Sequence, residues 1–192
     1  ALRFLPNCFW RPEGKGPTET WPALIAAVTD LDGTVTGAHR TWLARDGRLK
    51  APLDPPRKAM GVLLGHGVRF GRAQDVLAAG EGIETVLSLR QVLPGLPMGA
   101  ALSAGHLAAL RFPMPLRRLY VVCDNDPAGR IAREALVARA SEAGVEALAL
   151  VPMLGDFNDD LAARGQDALR AWIRPQLAPE DVSRFMGPMQ AP

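Results

Sequence analysis

Asp124 and Asp126 are two carboxylates that stand two residues apart. Of all residues in this sequence, they are the best suited to bind a cation. They follow the apolar run Leu119–Cys123, which is rich in β-branched residues and predicts a strand buried on both faces of a parallel sheet. In an extended segment, residues i and i+2 point the same way, so both carboxylates can face one cation. Oxygen ligands of this kind suit Mg²⁺ or Mn²⁺. One hypothesis is therefore a metal site, and the other is an acidic turn with an N-cap for the following helix.

Acidic residues also follow two other predicted strands in the same half of the chain. Glu81 comes after Val76–Gly80, and Asp156 comes after Val145–Val151 with Asp159 close by. Open α/β sheets bind their ligands at the carboxyl ends of parallel strands. Because the acids recur at strand ends, we expect the fold to gather them at one edge of the sheet as candidate metal ligands.

The elements that would position these acids alternate between strand and helix from residue 76 onward. Helical spacing covers four segments: Ile83–Leu93, a short stretch capped by Ser103, Ala128–Ala143 and Gln166–Arg174. This order predicts an α/β fold with a mostly parallel sheet flanked by helices. The proline-containing segment from Pro175 onward is predicted to be a loosely held tail.

The first part of the chain has a different pattern. Leu2–Trp10 predicts a strand, and two more strands, Pro22–Thr29 and Thr34–Leu43, flank the turn residues Asp30–Gly33, which predicts a β-hairpin. The sequence therefore predicts a small β-rich domain at residues 1–74, an α/β domain at 75–163 and a C-terminal segment at 164–192.

The net charge of +2 is unevenly distributed along the chain. Residues 1–75 carry 11 Lys and Arg against 7 Asp and Glu, a balance of +4, whereas residues 76–192 carry 11 against 13, a balance of −2. Six cations lie close to Trp42 in the sequence: Arg40, Arg45, Arg48, Lys50, Arg57 and Lys58. Cations with an aromatic neighbour can track a phosphate backbone and stack a base. The alternative is a solvated charged loop with Trp42 in the local core.

The composition and the apolar pattern limit the classes of protein to which the chain can belong. The apolar fraction of 48% is ordinary for a globular core. Because no apolar run approaches the length of a membrane span and no signal-peptide pattern appears, we expect a cytoplasmic protein without membrane partners. Two cysteines, Cys8 and Cys123, cannot complete a four-thiolate zinc site and indicate a reducing compartment. The chain starts with alanine in the middle of a pattern, so we expect a longer parent protein.

The order strand–Glu-Gly, strand–Asp-x-Asp-x-Ala-Gly, strand–Gly-Asp over residues 75–163 resembles the Toprim domain. Bacterial-type primases, type IA and type II topoisomerases, OLD-family nucleases and recombination mediators share this domain. The resemblance implies that Glu81 is the general acid/base or a metal-linked carboxylate. It also implies that Asp124 and Asp126 bind Mg²⁺ and that Asp156 belongs to the third acidic motif, with Asp159 as a further candidate.

The sequence departs from the primase pattern of this domain at two positions. Thr85 stands where many primases have an aspartate four residues after the glutamate. Asn158 stands where the last motif often has its second aspartate, and Asp159 is next to it. The number of cations that the site can bind depends on the residues at these two positions.

The first 75 residues resemble the N-terminal subdomain of the bacterial-type primase core, with a hairpin ending near Arg40 and a segment containing Lys50. The whole chain resembles primase-like Toprim proteins of phages and conjugative plasmids. This implies a DNA primase core that uses Mg²⁺ or Mn²⁺, nucleoside triphosphates and a single-stranded DNA template. A helicase or other replication proteins are the implied partners, and Arg40 and Lys50 match positions that contact template or nucleotide.

The same residues allow the primase to be compared with the other functions of Toprim proteins. A topoisomerase needs a nucleophilic tyrosine, and the only tyrosine, Tyr120, lies in a predicted core strand. A metal-dependent Toprim nuclease would use the same carboxylates, although the N-terminal half favours a primase. A non-catalytic nucleic-acid-binding module would not need to retain the acids. The nuclease and the binding module remain the alternatives to the primase.

Overall fold

A computed structural model of the chain describes residues 1–14, 16–114 and 116–187. The chain divides into two compact units, Ala1–Leu63 and Leu64–Pro192, and each contains one sheet. The predicted domain boundary after residue 74 lies later in the chain than this division. The difference arises because a short strand at Val68–Phe70 pairs with the sheet of the second unit.

The first unit is built on a four-stranded antiparallel sheet with the strands in chain order. The strands are β1 at Leu2–Trp10, β2 at Glu19–Thr29, β3 at Val35–Trp42 and β4 at Arg57–Gly61. The predicted hairpin is confirmed, because β2 pairs with β3. Its turn is held by Asp30, whose Oδ1 accepts hydrogen bonds from the backbone N–H groups of Asp32 at 3.0 Å and Thr34 at 2.9 Å. Gly33 supplies a φ of 88°, which other residues rarely adopt.

The second unit is built on a five-stranded sheet in the order β5-β7-β6-β8-β9. Its strands are β5 at Val68–Phe70, β6 at Val76–Gly80, β7 at Met98–Ala100, β8 at Arg118–Val122 and β9 at Glu146–Leu150. The last four pair in parallel, and β5 runs antiparallel to β7 at one edge. Every residue of β6 and β8 is buried, as expected for central strands covered on both faces. The predicted mostly parallel α/β sheet is confirmed.

Helices flank this sheet. They are α1 at Ile83–Val92, α2 at Ala104–Ala108, α3 at Pro127–Glu142, α4 at Phe157–Ile173, a 3₁₀ turn at Arg174–Gln176 and α5 at Pro179–Phe185. Helix α1 packs against α4, and α2 packs against α3. One buried cluster joins Leu119 and Val121 of the central strand to Ala132 and Leu136 of α3. None of the helices in the described part of the chain is long and apolar enough to cross a membrane.

Helix α4 begins nine residues before the amphipathic segment that the spacing predicts from Gln166. Asp156 caps its first turn, and Gly165, with φ of 80° and ψ of 174°, interrupts the helical geometry. The predicted segment is therefore the second of two helical pieces joined at Gly165. The first piece was not predicted because its start lies within the acidic motif.

The expectation of a loose tail from Pro175 is wrong for residues up to 187, whereas residues 188–192 lie outside the described residues. Helix α5 is fastened to the start of β8 by buried polar groups. The Arg118 Nη1 donates to Asp181 Oδ2 at 2.6 Å, and the Tyr120 hydroxyl donates to the same oxygen at 2.8 Å. The Tyr120 oxygen in turn accepts from the backbone N–H of Ala178 at 3.0 Å. These partners are some sixty residues apart, so no local pattern could indicate them.

Asp181→Ala is expected to lower the free energy of unfolding by about 3–5 kcal/mol, because it leaves the Arg118 guanidinium buried without its main partner. The measurement is urea unfolding followed by circular dichroism. Glu180→Ala is the matched control. Glu180 also pairs with Arg118, but it is exposed, so its loss should cost less than about 1 kcal/mol. Equal effects of the two substitutions would contradict the assignment of Asp181 as the anchor of α5.

Candidate active site at the carboxyl edge of the second sheet

Five acidic side chains follow the ends of β6, β8 and β9: Glu81, Asp124, Asp126, Asp156 and Asp159. Glu81 follows β6 directly, and Asp124 lies two residues after the end of β8. Burial, together with the negative charges of the other four acids, raises the pKa of Asp124 from 3.8 to about 6. Strands β6, β8 and β9 are neighbours and run parallel, so their carboxyl ends lie at the same edge of the sheet. The structure therefore brings the predicted acids together at one edge of the sheet.

Two of these aspartates are also helix caps. The Oδ1 of Asp126 accepts a hydrogen bond from the backbone N–H of Gly129 at 2.7 Å and caps α3. The Oδ1 of Asp156 accepts from the backbone N–H of Asp159 at 2.7 Å and caps α4. The N-cap hypothesis is thus confirmed for Asp126, and a capping bond occupies only one of the two carboxylate oxygens. Asp126 and Asp156 can therefore each cap a helix with one oxygen and offer the other oxygen to a metal ion.

Asp124 differs from the two capping residues in its surroundings. Its Oδ1 is buried and has no hydrogen-bond partner among the described residues. A buried carboxylate oxygen is normally paired, because water has been removed from it without replacement. Helix α3 begins against the backbone of Asp124, where a Cβ at Gly129 would lie 2.5 Å from the carbonyl oxygen of Asp124. Gly129 of the Asp-x-Asp-x-Ala-Gly motif is therefore required for this close approach.

The chemistry of the site fits a hard divalent cation. All five side chains offer carboxylate oxygens, which Mg²⁺ prefers, and the unpartnered oxygen of Asp124 is one that a cation would satisfy. Across residues 1–14, 16–114 and 116–187, however, no three His, Cys, Asp or Glu side chains are already placed around a common point as metal ligands. The donors are thus of the right kind and lie at one edge, and the side chains would have to move to close on one ion.

One residue of the site was not predicted from the sequence. Asp160 is fully buried, and its two oxygens accept hydrogen bonds from the backbone N–H groups of Met153 and Leu154, both at 2.8 Å. These bonds fix the loop that carries Asp156. The same loop is joined to the Asp-x-Asp segment, because the backbone N–H of Asn125 donates to the carbonyl of Gly155 at 2.8 Å. The only sequence signal was the position of Asp160, one turn after a capping aspartate.

The two departures from the primase pattern, Thr85 and Asn158, each take part in a contact between α1 and the start of α4. The hydroxyl of Thr85, a buried residue, lies 3.5 Å from Asp156 Oδ2, and Ser88 Oγ lies 3.4 Å from Asn158 Oδ1. A neutral hydroxyl therefore occupies the place next to Asp156 where another carboxylate would add repulsion. This arrangement orients Asp156 without increasing the negative charge of the site.

Asp124→Asn is expected to stabilise the metal-free protein at pH 7. The pKa of Asp124 is raised in the folded state, so this group's contribution to stability is lost as the pH rises from about 4 to about 6. An amide cannot ionise, and we expect a gain of about 1–2 kcal/mol in unfolding free energy at pH 7, allowing for screening of a half-buried group. The gain should vanish near pH 3.5.

Urea unfolding in the presence of a chelator at both pH values measures this effect. Asp167→Asn, an exposed site on the second piece of α4, is the control and should show no comparable gain. An Asp124→Asn protein no more stable than the wild type at pH 7 would rule out the raised pKa.

The predicted nucleic-acid contacts all lie in the first unit, and three of them pair with tryptophans there. The Arg45 guanidinium lies 4.8 Å from the ring centre of Trp21, and the Lys58 ammonium lies 5.9 Å from that of Trp10. Arg45, Arg48 and Lys50 are exposed in the segment after β3. These three cations are accessible to an anionic partner.

Trp42 belongs to the core of the first unit, as the alternative interpretation proposed. It is 1% exposed and packs with Cys8, Trp10, Ala23 and Ala51. A base cannot stack on a ring that is covered by protein. The guanidinium of Arg40 lies 5.1 Å from the Trp42 ring centre, so this arginine is partly engaged within the unit.

Two family matches cover the two parts of the chain separately. Residues 76–167 match the Toprim domain family, and residues 1–70 match a family described as a domain of unknown function, DUF7146. No curated protein matches the chain.

Solved structures of primases share the fold. The primase fragment of the bacteriophage T7 primase-helicase protein aligns with a TM-score of 0.57 at 13% identity, over 80% of this chain and 62% of that chain. The zinc-binding and RNA polymerase domains of the Aquifex aeolicus primase align with a TM-score of 0.57 at 18% identity, over 88% of this chain and 44% of that chain.

A third structure shows T7 primase domains of two gp4 subunits bound to an RNA/DNA hybrid and dTTP, with the T7 lagging-strand DNA polymerase. It aligns with a TM-score of 0.52 at 16% identity, over 77% of this chain and 74% of that chain. The chain spans less than two thirds of the T7 primase fragment and of the Aquifex protein. At these identities the likeness establishes the fold.

Proposed function

Because residues 76–167 form a Toprim domain within a primase-type fold, we propose that the chain is the catalytic core of a DNA primase. It would join nucleoside triphosphates into short oligonucleotides on a single-stranded DNA template. The observation that carries this proposal is the position of the acids at the carboxyl edge where β6, β8 and β9 end, with the pKa of Asp124 raised by burial and by the negative charges of its acidic neighbours. Concentrated like charge destabilises a fold, so its presence favours a catalytic site over a passive binding module.

Asp124, Asp126 and Asp156, together with Glu81, are the residues that would hold Mg²⁺ or Mn²⁺, with Asp159 as a further candidate. A divalent cation bound there would neutralise the triphosphate and make its α-phosphate a better electrophile. The caps at Asp126 and Asp156 restrain these ligands, because each keeps one oxygen on a helix N-terminus.

Glu81 is proposed to assist removal of the proton from the attacking 3′-hydroxyl. The hydroxyl oxygen then bonds to the α-phosphorus, and the bond from that phosphorus to the bridging oxygen breaks, so that pyrophosphate leaves. The backbone around Glu81 is held firmly for this role. The N–H of Leu102 donates to the carbonyl of Glu81, and the N–H of Ala101 donates to that of Gly80, both at 2.8 Å.

The template is proposed to contact the first unit through its predicted cations, with the exposed Arg45, Arg48 and Lys50 as the main contacts and Arg40 and Lys58 as supporting ones. Exposed cations on one loop can follow a phosphate backbone without reading its sequence. A helicase or other replication proteins of a phage or plasmid are proposed partners, since the T7 structure comes from a primase-helicase protein. A cytoplasmic location is part of the same proposal.

Charge reversal of Arg48 and Lys50 is expected to weaken binding of single-stranded DNA and to flatten the slope of log K against log salt. The slope should change by about 0.7 for each phosphate contact that is lost. Fluorescence anisotropy with labelled DNA over a range of salt measures it. Arg164→Glu with Arg174→Glu, two exposed sites of the second unit, changes the net charge equally and is the control. Equal slopes for the two double variants would show that the basic loop faces solvent and does not contact DNA.

A topoisomerase role is disfavoured by the only tyrosine. Tyr120 is fully buried and hydrogen-bonded to Asp181, and burial raises its pKa to about 12. A hydroxyl held in this way cannot reach DNA as a nucleophile. The same argument gives no reason to reject a metal-dependent nuclease, because a nuclease would use the acids and not a tyrosine.

Synthesis on a single-stranded template tests the proposal. The chain, and the whole parent protein where it is longer, would be given template, Mg²⁺ or Mn²⁺ and labelled nucleoside triphosphates. Short labelled oligonucleotides are expected. Metal-dependent shortening of the template, with no oligonucleotide made, would replace the primase by the nuclease.

A further inference from the structure

Two arginines on the first turns of α3 have no assigned role. Arg130 and Arg133 are one turn apart, so their side chains lie on the same flank of the helix. Arg130 is exposed and Arg133 is half-buried. Within the described part of the chain, neither side chain makes a hydrogen bond or an ion pair.

Both arginines lie close to the acidic edge. The backbone N–H of Arg130 donates to the carbonyl of Asp126 at 3.1 Å, which places Arg130 one helical turn from the Asp-x-Asp pair. Arg133 is seven residues from Asp126, or about 10 Å along the helix axis.

Three arginines elsewhere in the second unit are used differently. Arg117, Arg118 and Arg184 all pair with carboxylates at the opposite end of the strands. Arg130 and Arg133 lie on the first turns of the helix that Asp126 caps, and among the described residues they form no ion pair. The two cations are therefore open to phosphates, beside the carboxylates proposed to hold a divalent cation, so the ligand that fits carries charges of both signs.

A polyphosphate with its divalent cation is such a ligand. Carboxylates suit the cation, and the planar fork of an arginine matches two phosphate oxygens. We infer that Arg130 and Arg133 form a polyphosphate-binding pair that holds the phosphates of a nucleoside triphosphate beside the acidic edge. This inference rests on the proposed function, because it names the residues of the Toprim domain that would bind the incoming nucleotide.

Inorganic tripolyphosphate is the probe, titrated calorimetrically into the protein in the presence of Mg²⁺. Arg130→Ala with Arg133→Ala should weaken binding at least about tenfold, as expected for the loss of charge-assisted hydrogen bonds. Arg130→Lys with Arg133→Lys keeps the charge but loses the fork, so its affinity should be intermediate. Arg164→Ala with Arg174→Ala has the same net charge as the first pair and should bind like the wild type.

Binding of Mn²⁺ alone separates a ligand contact from a structural role. Removing two positive charges next to carboxylates should leave Mn²⁺ affinity unchanged or raise it, with an unchanged unfolding midpoint. Tripolyphosphate affinity equal to that of the wild type would overturn the inference. So would a parallel loss of Mn²⁺ binding and stability in both arginine variants, since that pattern indicates a structural role.

The experiment also distinguishes this inference from the proposed function. Weaker tripolyphosphate binding in a protein that makes no oligonucleotides would support the arginine pair and reject the primase. Oligonucleotide synthesis with an unchanged KM for nucleoside triphosphates in the Arg130→Ala, Arg133→Ala protein would support the primase and reject the pair.

Discussion

Glu81→Gln is expected to reduce oligonucleotide synthesis by roughly 10²–10⁴-fold, the usual cost of losing a general acid/base. The amide keeps the shape of the side chain but can neither accept a proton nor carry charge. Because the role proposed for Glu81 is exercised in the transition state, kcat should fall while the KM for nucleoside triphosphates changes little. Steady-state kinetics on a single-stranded template with Mg²⁺ measures both constants.

Glu142→Gln is the matched control for this substitution. Glu142 ends α3 and is exposed, so the same change from acid to amide occurs away from the acidic edge, and its activity should equal that of the wild type. The Glu81→Gln protein should also unfold at the wild-type midpoint. If the Glu81→Gln protein made oligonucleotides at the wild-type rate, Glu81 would not be a catalytic residue, even if the other acids were.

Asp124→Ala combined with Asp126→Ala is expected to abolish Mn²⁺ binding. The pair supplies two of the proposed ligands, including the buried oxygen of Asp124 that has no partner among the described residues. Electron paramagnetic resonance of free Mn²⁺ during a titration gives the number of sites and their affinity. The loss should be complete, because the remaining acids would have to bind the cation without the central carboxylate.

Stability must be controlled in this experiment, because Asp126 caps α3. Loss of the cap should cost about 1 kcal/mol, whereas relief of repulsion around Asp124 acts in the opposite direction. Asp124→Asn with Asp126→Asn keeps a capping side chain and should also lose Mn²⁺, which separates metal binding from folding. Asp167→Ala should bind Mn²⁺ like the wild type. A double variant that still binds Mn²⁺ with wild-type affinity would refute the assigned ligands.

Sequence alone determined the parts of this protein that depend on local periodicity. The run Leu119–Cys123 has no polar face and is rich in β-branched residues, which predicts a strand covered on both sides, and β8 is fully buried. The pattern at Asp30–Gly33 has the residues that a tight turn requires, and the hairpin forms there. The acids were found because parallel strands end at a common edge, so strand positions and topology suffice to gather Glu81, Asp124 and Asp156.

Only the tertiary structure decided which polar groups meet. Asp181 and Arg118 are 63 residues apart, and the ion pair between them exists because α5 docks on the start of β8. Asp160 and Thr85 likewise gain their roles from the loop and the helix that pack beside Asp156. Burial of Trp42 and the raised pKa of Asp124 depend on desolvation, which only the packed chain produces. Local pattern thus determines where strands end, whereas burial and long-range pairing determine what the side chains at those ends can do.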